Sequence, residues 1–496
     1  MSLISISNLT FAYDGSYDNI FENVSIQIDT DWKLGFTGRN GRGKTTFLYL
    51  LMGEYEYSGK ISANAVFQYF PYNVADTTIS TGEVVEGINP SYQNWELVRE
   101  LSLLDVCEDV LERPFESLSN GEQSKVMLAS LFLSGNNFLL IDEPTNHLDT
   151  TGRETVSRYL NSKSGFILVS HDRAFLDGCI DHILSINRAN IEIQRGNFSS
   201  WLVNKERQDN FEFVENEKLR KNIKRLKQSA RQSGQWADKV ESTKIGKSAA
   251  GIEKSEDTRA YIGEKSRRMQ QRRKNLERRQ QTAIDEKSKL LKNIERSDPL
   301  KISQIPYHKR RYLSLSDVSI FYGAKNVCKN VSFDIEHGDR VALCGRNGSG
   351  KSSIFKLIYG EEIEYTGGFI MGSGLQISYV SQDTSNLCGD LTDYALQNNI
   401  DESLFKAILR KLDFSRVQFE KNMQDFSAGQ KKKTLIAKSL CEKSHLLVWD
   451  EPLNYIDVLS RMQIEELLLD YEPTILFVEH DRVFCDRIAT KRVTLY

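Results

Sequence analysis

The chain has 496 residues, is 40% hydrophobic and 27% charged, and carries a formal net charge of -3. That length exceeds what one hydrophobic core organises, so two or three domains are expected. No apolar run approaches the roughly 18–20 residues needed to cross a bilayer, the first residues lack the basic and apolar regions of a secretory signal, and seven scattered cysteines without CxxC pairs fit reduced thiols rather than a disulfide framework or a zinc site. A soluble, cytoplasmic protein with no membrane span is the expectation.

In chain order, the first informative element is a short apolar strand running into Gly38-Arg39-Asn40-Gly41-Arg42-Gly43-Lys44-Thr45-Thr46 and the helical pattern TTFLYLLMG. This fits G-x-x-x-x-G-K-[ST]. Its glycines let backbone N–H groups turn inward around phosphate oxygens at a helix N-terminus. Lys44 is placed to neutralise the β/γ-phosphates and the Thr45 hydroxyl to ligate Mg²⁺. YFPYN (69–73) and SLSNGEQSK (117–125) follow, then FLLIDEPTNHLD (138–149) and ILVSHDRAF (167–175). Asp142 and Glu143 end an apolar strand, and a carboxylate at that end faces a nucleotide crevice. Asp142 can hold Mg²⁺ and Glu143 can polarise the attacking water.

A basic insert comes next. From Asn204 to Arg311 there are 30 Lys/Arg against 16 Asp/Glu, and residues 265–281 hold eight basic side chains and a single acid, Glu277. No proline occurs between Pro144 and Pro299, so long helices are permitted. Leu219, Ile223, Leu226 and Ala230, and again Met269, Leu276, Ala283 and Leu290, give narrow apolar seams at helical spacing. The pattern predicts an antiparallel coiled-coil hairpin with its turn in 241–257. Lys244, Lys247, Arg267, Arg268, Arg272, Arg273, Lys274, Arg278 and Arg279 are its candidate nucleic-acid contacts, because cations along an arm gain affinity by releasing condensed counterions. Salt bridges alone would balance the charges, whereas Lys218 to Arg279 holds 20 basic and 7 acidic residues.

Beyond the insert the first set of motifs returns. Gly345-Arg346-Asn347-Gly348-Ser349-Gly350-Lys351-Ser352-Ser353 repeats the phosphate loop 307 residues on. DFSAGQKKK (425–433) matches SLSNGEQSK, and HLLVWDEPLNYID (445–457) brings Asp450 and Glu451. LFVEHDRVF (476–484) brings His480 where the first copy has His171. Lysine to glutamate spans 99 residues in one copy and 100 in the other, and glutamate to histidine 28 and 29. The chain is a tandem duplication of an α/β unit whose strands and helices alternate, as in a mostly parallel sheet.

LSNGEQ and FSAGQ resemble the LSGGQ signature of ATP-binding cassette ATPases, and His171 and His480 resemble that family's switch histidine. The resemblance implies ATP and Mg²⁺ as cofactors and two composite sites. One would join Lys44, Thr45, Asp142, Glu143 and His171 to Ser427 and Gly429; the other would join Lys351, Ser352, Asp450, Glu451 and His480 to Ser119 and Gly121. Tyr13 and Tyr322 sit where the family stacks an aromatic on adenine. Gln382 matches the family's glutamine for Mg²⁺ and water, whereas the first copy has Tyr72 there; either that site works differently or a neighbour such as Gln68 compensates.

Two cassettes fused by a basic hairpin resemble the ABC-F translation factors. The short segment between Tyr72 and Ser119, together with EPLNYIDVLSR, is similar to the Lsa-type antibiotic-resistance subgroup. The fold this implies is α/β: two tandem ABC-type P-loop NTPase domains, at 1–203 and 301–496, joined by a long α-helical antiparallel coiled-coil hairpin linker at 204–300. The function it implies is an ATPase that works as a monomer, with intramolecular pairing of its two domains. It would bind the 70S ribosome at the E site of the 50S subunit, contact 23S rRNA and displace P-site tRNA. Its linker would dislodge lincosamides, pleuromutilins or streptogramin A. A housekeeping ABC-F factor for stalled ribosomes and the ATPase subunit of a transporter are the alternatives.

Overall fold

A computed structural model describes residues 2–13, 19–90, 92–133, 137–146, 148–186, 191–215, 300–302, 304–323 and 325–495, together with separate positions between 217 and 279. The chain divides into two compact units, Met1–Trp201 with Ser297–Tyr496, and Leu202–Arg296.

The first copy comprises β1 (Leu3–Phe11), β2 (Phe21–Asp29), β3 (Lys33–Thr37), α1 (Lys44–Met52), β4 (Ser58–Ser62), β5 (Val66–Phe70), α2 (Thr81–Ile88), α3 (Asn94–Leu103), α4 (Asn120–Leu131), β6 (Asn137–Asp142), α5 (Thr150–Asn161), β7 (Phe166–Val169), α6 (Arg173–Cys179), β8 (His182–Ile186) and β9 (Ile191–Arg195). The second comprises β10 (Arg311–Tyr322), β11 (Lys325–Glu336), β12 (Arg340–Cys344), α7 (Lys351–Tyr359), β13 (Glu364–Met371), β14 (Ile377–Val380), α8 (Leu391–Gln397), α9 (Glu402–Lys411), α10 (Ala428–Cys441), β15 (Leu446–Asp450), α11 (Val458–Tyr471), β16 (Ile475–Val478), α12 (Arg482–Ile488) and β17 (Lys491–Thr494).

The main sheets run β5-β6-β7-β3-β8-β9 and β14-β15-β16-β12-β17, parallel except for the antiparallel β8–β9 pair. Strands buried on both faces read as continuous apolar runs, and Phe138 to Ile141 and Leu446 to Trp449 are at most 2% exposed. Each copy adds an antiparallel three-stranded sheet, β2-β1-β4 and β11-β10-β13. Apolar residues of β3, α1 and β6 (Leu34, Phe36, Phe47, Leu140) form one core with β1 and β2, so the phosphate loop leaves a rigid base.

Local chemistry sets where the working segments begin. Gly43 and Gly350 cap α1 and α7 in left-handed conformations, φ 89° and 88°, which a side chain would strain. Ser119 and Ser427 cap α4 and α10 through reciprocal bonds with Glu122 and Gln430, the S-x-x-E/Q capping box. Residues 198–215, which run into the insert, are helical, as are the described positions 264, 267, 268, 271, 274, 275, 278 and 279. Glu264 pairs with Arg268 at 2.6 Å one helical turn on. The expected hairpin turn and both apolar seams lie outside the described residues. All seven cysteines are free thiols, and among the described residues no helix is long and apolar enough to cross a membrane.

Candidate nucleotide-binding sites

The second phosphate loop and the first signature segment share one cavity. Arg346, Asn347, Gly348, Gly350, Lys351, Ser352 and Ser353 line it from one copy; Ser119, Asn120 and Gly121 line it from the other; its volume is about 800 Å³. Gln382, Glu451 and His480 open onto the same space. Lys351 Nζ donates to the carbonyls of Gly345 and Arg346, both at 2.9 Å. Gln382 Nε2 donates to Glu451 Oε2 at 2.9 Å and Asn454 Nδ2 to the same oxygen at 2.6 Å. His480 Nε2 stands 3.4 Å from Glu451 Oε1. Burial alone would raise the Glu451 carboxyl, but His480 and the ammonium groups of Lys351 and Lys432 outweigh it and hold it below the usual range. Asp450 is pushed up to about 6, chiefly by burial.

At the first site the copies press together. Asn40 Nδ2 donates to the Tyr455 carbonyl at 2.7 Å, and a Cβ on Gly429 would collide with that carbonyl and meet Asn40 Nδ2 at 2.7 Å. The signature glycine therefore lies against the opposite phosphate loop. Arg42 and Arg39 reach Asp413 of the second copy at 3.6 and 3.9 Å. Nearby, Arg173 pairs with the fully buried Glu465, which Arg487 also contacts at 2.7 Å. Lys44 Nζ donates to the Gly38 carbonyl at 2.8 Å and to the Arg39 carbonyl and Asn40 Oδ1 at 3.3 Å. Thr45 Oγ1 donates to Asp142 Oδ2 at 2.8 Å, and His171 Nε2 stands 3.4 Å from Glu143 Oε1. Burial, then the Asp142 charge, pushes the Glu143 carboxyl up to about 8. Burial, then the cations Lys44 and Arg461, drives His171 well below its ordinary range.

Both glutamates adopt left-handed backbones, φ 51° for Glu143 and 47° for Glu451. Such a conformation costs a non-glycine residue roughly 1–3 kcal/mol and concentrates at working sites. Strand register identifies the counterpart of Gln382: Phe70 pairs with Ile141 as Val380 pairs with Trp449, so Tyr72 holds that position. Gln68 does not reach Asp142; Tyr69 does, its hydroxyl donating to Asp142 Oδ2 at 3.1 Å. The reason is strand alternation, which sends residues 68 and 69 to opposite faces.

Tyr13 is about half exposed and its hydroxyl meets Thr46 Oγ1 at 2.7 Å, while Tyr322 is also half exposed. Ser349 Oγ is buried without a partner. Arg267, Arg268, Lys274, Arg278 and Arg279 are helical and exposed; Lys244, Lys247, Arg272 and Arg273 lie outside the described residues. Sequence reasoning passed over Tyr69, Asn454, Asp413 and the buried Lys433–Asp457 pair at 2.7 Å. Asn454 stood in plain view in EPLNYID, but nothing in spacing marks it as the second donor to Glu451.

Thr45 with Asp142, and Ser352 with Asp450 and Gln382, offer hydroxyl, carboxylate and amide oxygens. Asp450 Oδ1 is buried without a hydrogen-bond partner. A small, oxygen-preferring cation such as Mg²⁺, which keeps few protein ligands and completes its shell with phosphate and water, fits that donor set.

Fold and sites together define a protein with two P-loop nucleotide-binding cassettes. The profile of the family described as ABC transporter matches residues 21–146 and 328–454, and the chain belongs to that family. It is similar to relatives of the ABC-F type. It is 28% identical over 509 residues to the Ribosome protection protein VmlR of Bacillus subtilis (strain 168), covering 99% of this chain and 86% of that protein. It is 24% identical over 525 residues to the Energy-dependent translational throttle protein EttA of Haemophilus influenzae, covering 95% and 88%. Among solved structures, the archaeal ribosome recycling factor aABCE1, crystallised with the ribosomal stalk protein aP1, superposes with a TM-score of 0.63 at 16% identity over 98% of this chain and 87% of that one.

Proposed function

We propose that this chain is an ATP-hydrolysing ABC-F factor of the cytoplasm that acts on the 70S ribosome as a monomer. The observation that carries the reading is the cavity shared by Lys351 and Ser352 of one copy with Ser119 and Gly121 of the other. A nucleotide there touches both copies at once, so its γ-phosphate ties the halves together and cleavage releases them. In each copy the lysine (Lys44, Lys351) exchanges loop carbonyls for phosphate oxygens. Mg²⁺, when bound beside Thr45 and Asp142 or Ser352 and Asp450, neutralises phosphate charge. Glu451, held ionised, accepts the proton of the attacking water, with His480 beside it and Gln382 orienting it; Glu143 holds the matching place beside His171, but its carboxyl, pushed up to about 8, must first give up its own proton.

The ribosomal target rests on two supports. The relatives with the ABC-F architecture include a ribosome protection protein and a translational throttle. The insert carries exposed Arg267, Arg268, Lys274, Arg278 and Arg279 on helical backbone, suited to phosphate contacts that depend little on sequence. In this reading the insert enters the E site, moves P-site tRNA and loosens lincosamides, pleuromutilins or streptogramin A from the 50S subunit.

Changing Glu143 and Glu451 to Gln together tests the clamp. The variant should co-sediment with 70S ribosomes in ATP and not in ADP; binding indifferent to nucleotide, or none, contradicts the reading. Cells expressing the wild-type chain should tolerate higher concentrations of those drugs. Unchanged tolerance with intact ATP-dependent ribosome binding would leave the drug-independent translation factor as the function.

A further inference from the structure

We propose that Lys432 is a positioning residue for hydrolysis at the second site, tying the loop that carries Gln382 to the strand end that carries Glu451. The inference deepens the ATPase reading above and rests on it.

Lys432 lies in α10 and is 2% exposed. Its Nζ donates to the Ser381 carbonyl at 2.9 Å and to the Asp450 carbonyl at 3.4 Å. Ser381 immediately precedes Gln382, and Asp450 immediately precedes Glu451. One ammonium group thus bridges the two main-chain segments whose next residues meet at 2.9 Å, Gln382 Nε2 on Glu451 Oε2. Taking an ammonium group out of water costs several kcal/mol unless charges and hydrogen bonds offset it. Here Asp450, Glu479 and Glu451 supply the opposing charge, so the bridge is tied to the carboxylates of the site.

The duplication supplies an internal control. The matching position of the first copy is Ser124, whose hydroxyl turns back to the Asn120 carbonyl of its own helix at 2.9 Å. There the residues opposite Ser381 and Gln382 are Pro71 and Tyr72. The lysine bridge and the loop glutamine occur together in one copy and are both missing from the other.

The same helix has a second task. Ser427 and Gly429 at the start of α10 serve the first site, so Lys432 joins the signature of one site to the hydrolytic groups of the other. In α4, Ser124 makes no such link.

The test is steady-state ATP turnover by the full chain carrying Lys432→Met, Lys432→Ser or Lys432→Arg, with nucleotide affinity and thermal midpoint measured on each. Misplacing a reacting group by about 1 Å can cost a hundredfold in rate. Met and Ser should therefore lower kcat roughly tenfold to a hundredfold while KM and ATP affinity stay within about twofold, and Arg should restore a substantial part of kcat. Unchanged kcat in the Met variant overturns the proposal. So does a loss of kcat accompanied by equal loss of ATP affinity, or one that Arg fails to rescue at an unchanged thermal midpoint. Absence of turnover in the wild-type chain would instead overturn the ATPase reading itself.

Discussion

The two nucleotide sites share their motifs and differ in almost everything the motifs leave unsaid. At the first, charged residues clamp the copies against one another: Arg39 and Arg42 meet Asp413, and Arg173 is buried on Glu465. At the second, the corresponding loop has Ser349 where Arg42 stands, and Arg482 reaches Glu154 at 3.2 Å with both side chains largely exposed. The two strand-end glutamates diverge accordingly. Glu143 is forced up to about 8 by burial beside Asp142, whereas Glu451 is held low by His480 and two lysines. A duplicated sequence can thus keep its chemistry-bearing residues while the pairs around them assign different work to each site.

The largest expected effect concerns the signature helices. Lys433 is buried on Asp457 and also donates to the Leu412 carbonyl at 2.9 Å. Lys433→Ala leaves that carboxylate buried and unpaired, and should cost about 3–5 kcal/mol in denaturant unfolding of the full chain. Lys125, its counterpart, is only half-buried and lines the open cavity, so Lys125→Ala should stay within about 0.5 kcal/mol. Equal losses would erase the contrast.

The interface pairs come next. Arg173→Ala should destabilise by about 2 kcal/mol, because Glu465 keeps Arg487 as a partner. Arg482→Ala should change stability by less than about 1 kcal/mol, as exposed pairs do. Hydrogen exchange in α6 and α11 would report the first change and leave the second silent.

Replacing Gln382 with Tyr removes its bond to Glu451 and should lower turnover roughly tenfold, equivalent to about 1.4 kcal/mol. Tyr72→Gln should alter turnover far less, since a site without the lysine bridge gains a side chain but no fixed loop. Tyr69→Phe deletes one of two bonds to Asp142 and should cost about 1 kcal/mol, read as a several-fold rise in the Mg²⁺ concentration that half-saturates nucleotide binding at the first site.

Much of this architecture is legible in the sequence. The paired phosphate loops, the Asp-Glu strand ends and the switch histidines lie at fixed spacings, because each is held by a strand or helix whose length hardly varies between copies. Strand register gives Tyr72 the place in the first copy that Gln382 holds in the second, as the repeat spacing implies. The capping role of Ser119 and Ser427 is written in S-x-x-E/Q, but the same letters also spell the family signature. Contacts between the copies were invisible. Asn40 with Tyr455, and Arg173 with Glu465, join residues 415 and 292 positions apart, and nothing local distinguishes those residues from ordinary surface polar groups. The suggestion that Gln68 stands in for the missing glutamine failed for a simple reason: alternation points Tyr69, not Gln68, toward Asp142.

The difference between Glu143 and Glu451 should concentrate turnover in the second composite site, and single-turnover ATP cleavage by Glu143→Gln and by Glu451→Gln, each set against wild type, measures it. Glu451→Gln should remove most of the cleavage burst and Glu143→Gln should leave most of it. Equal losses, or a burst that survives only in Glu451→Gln, would contradict it.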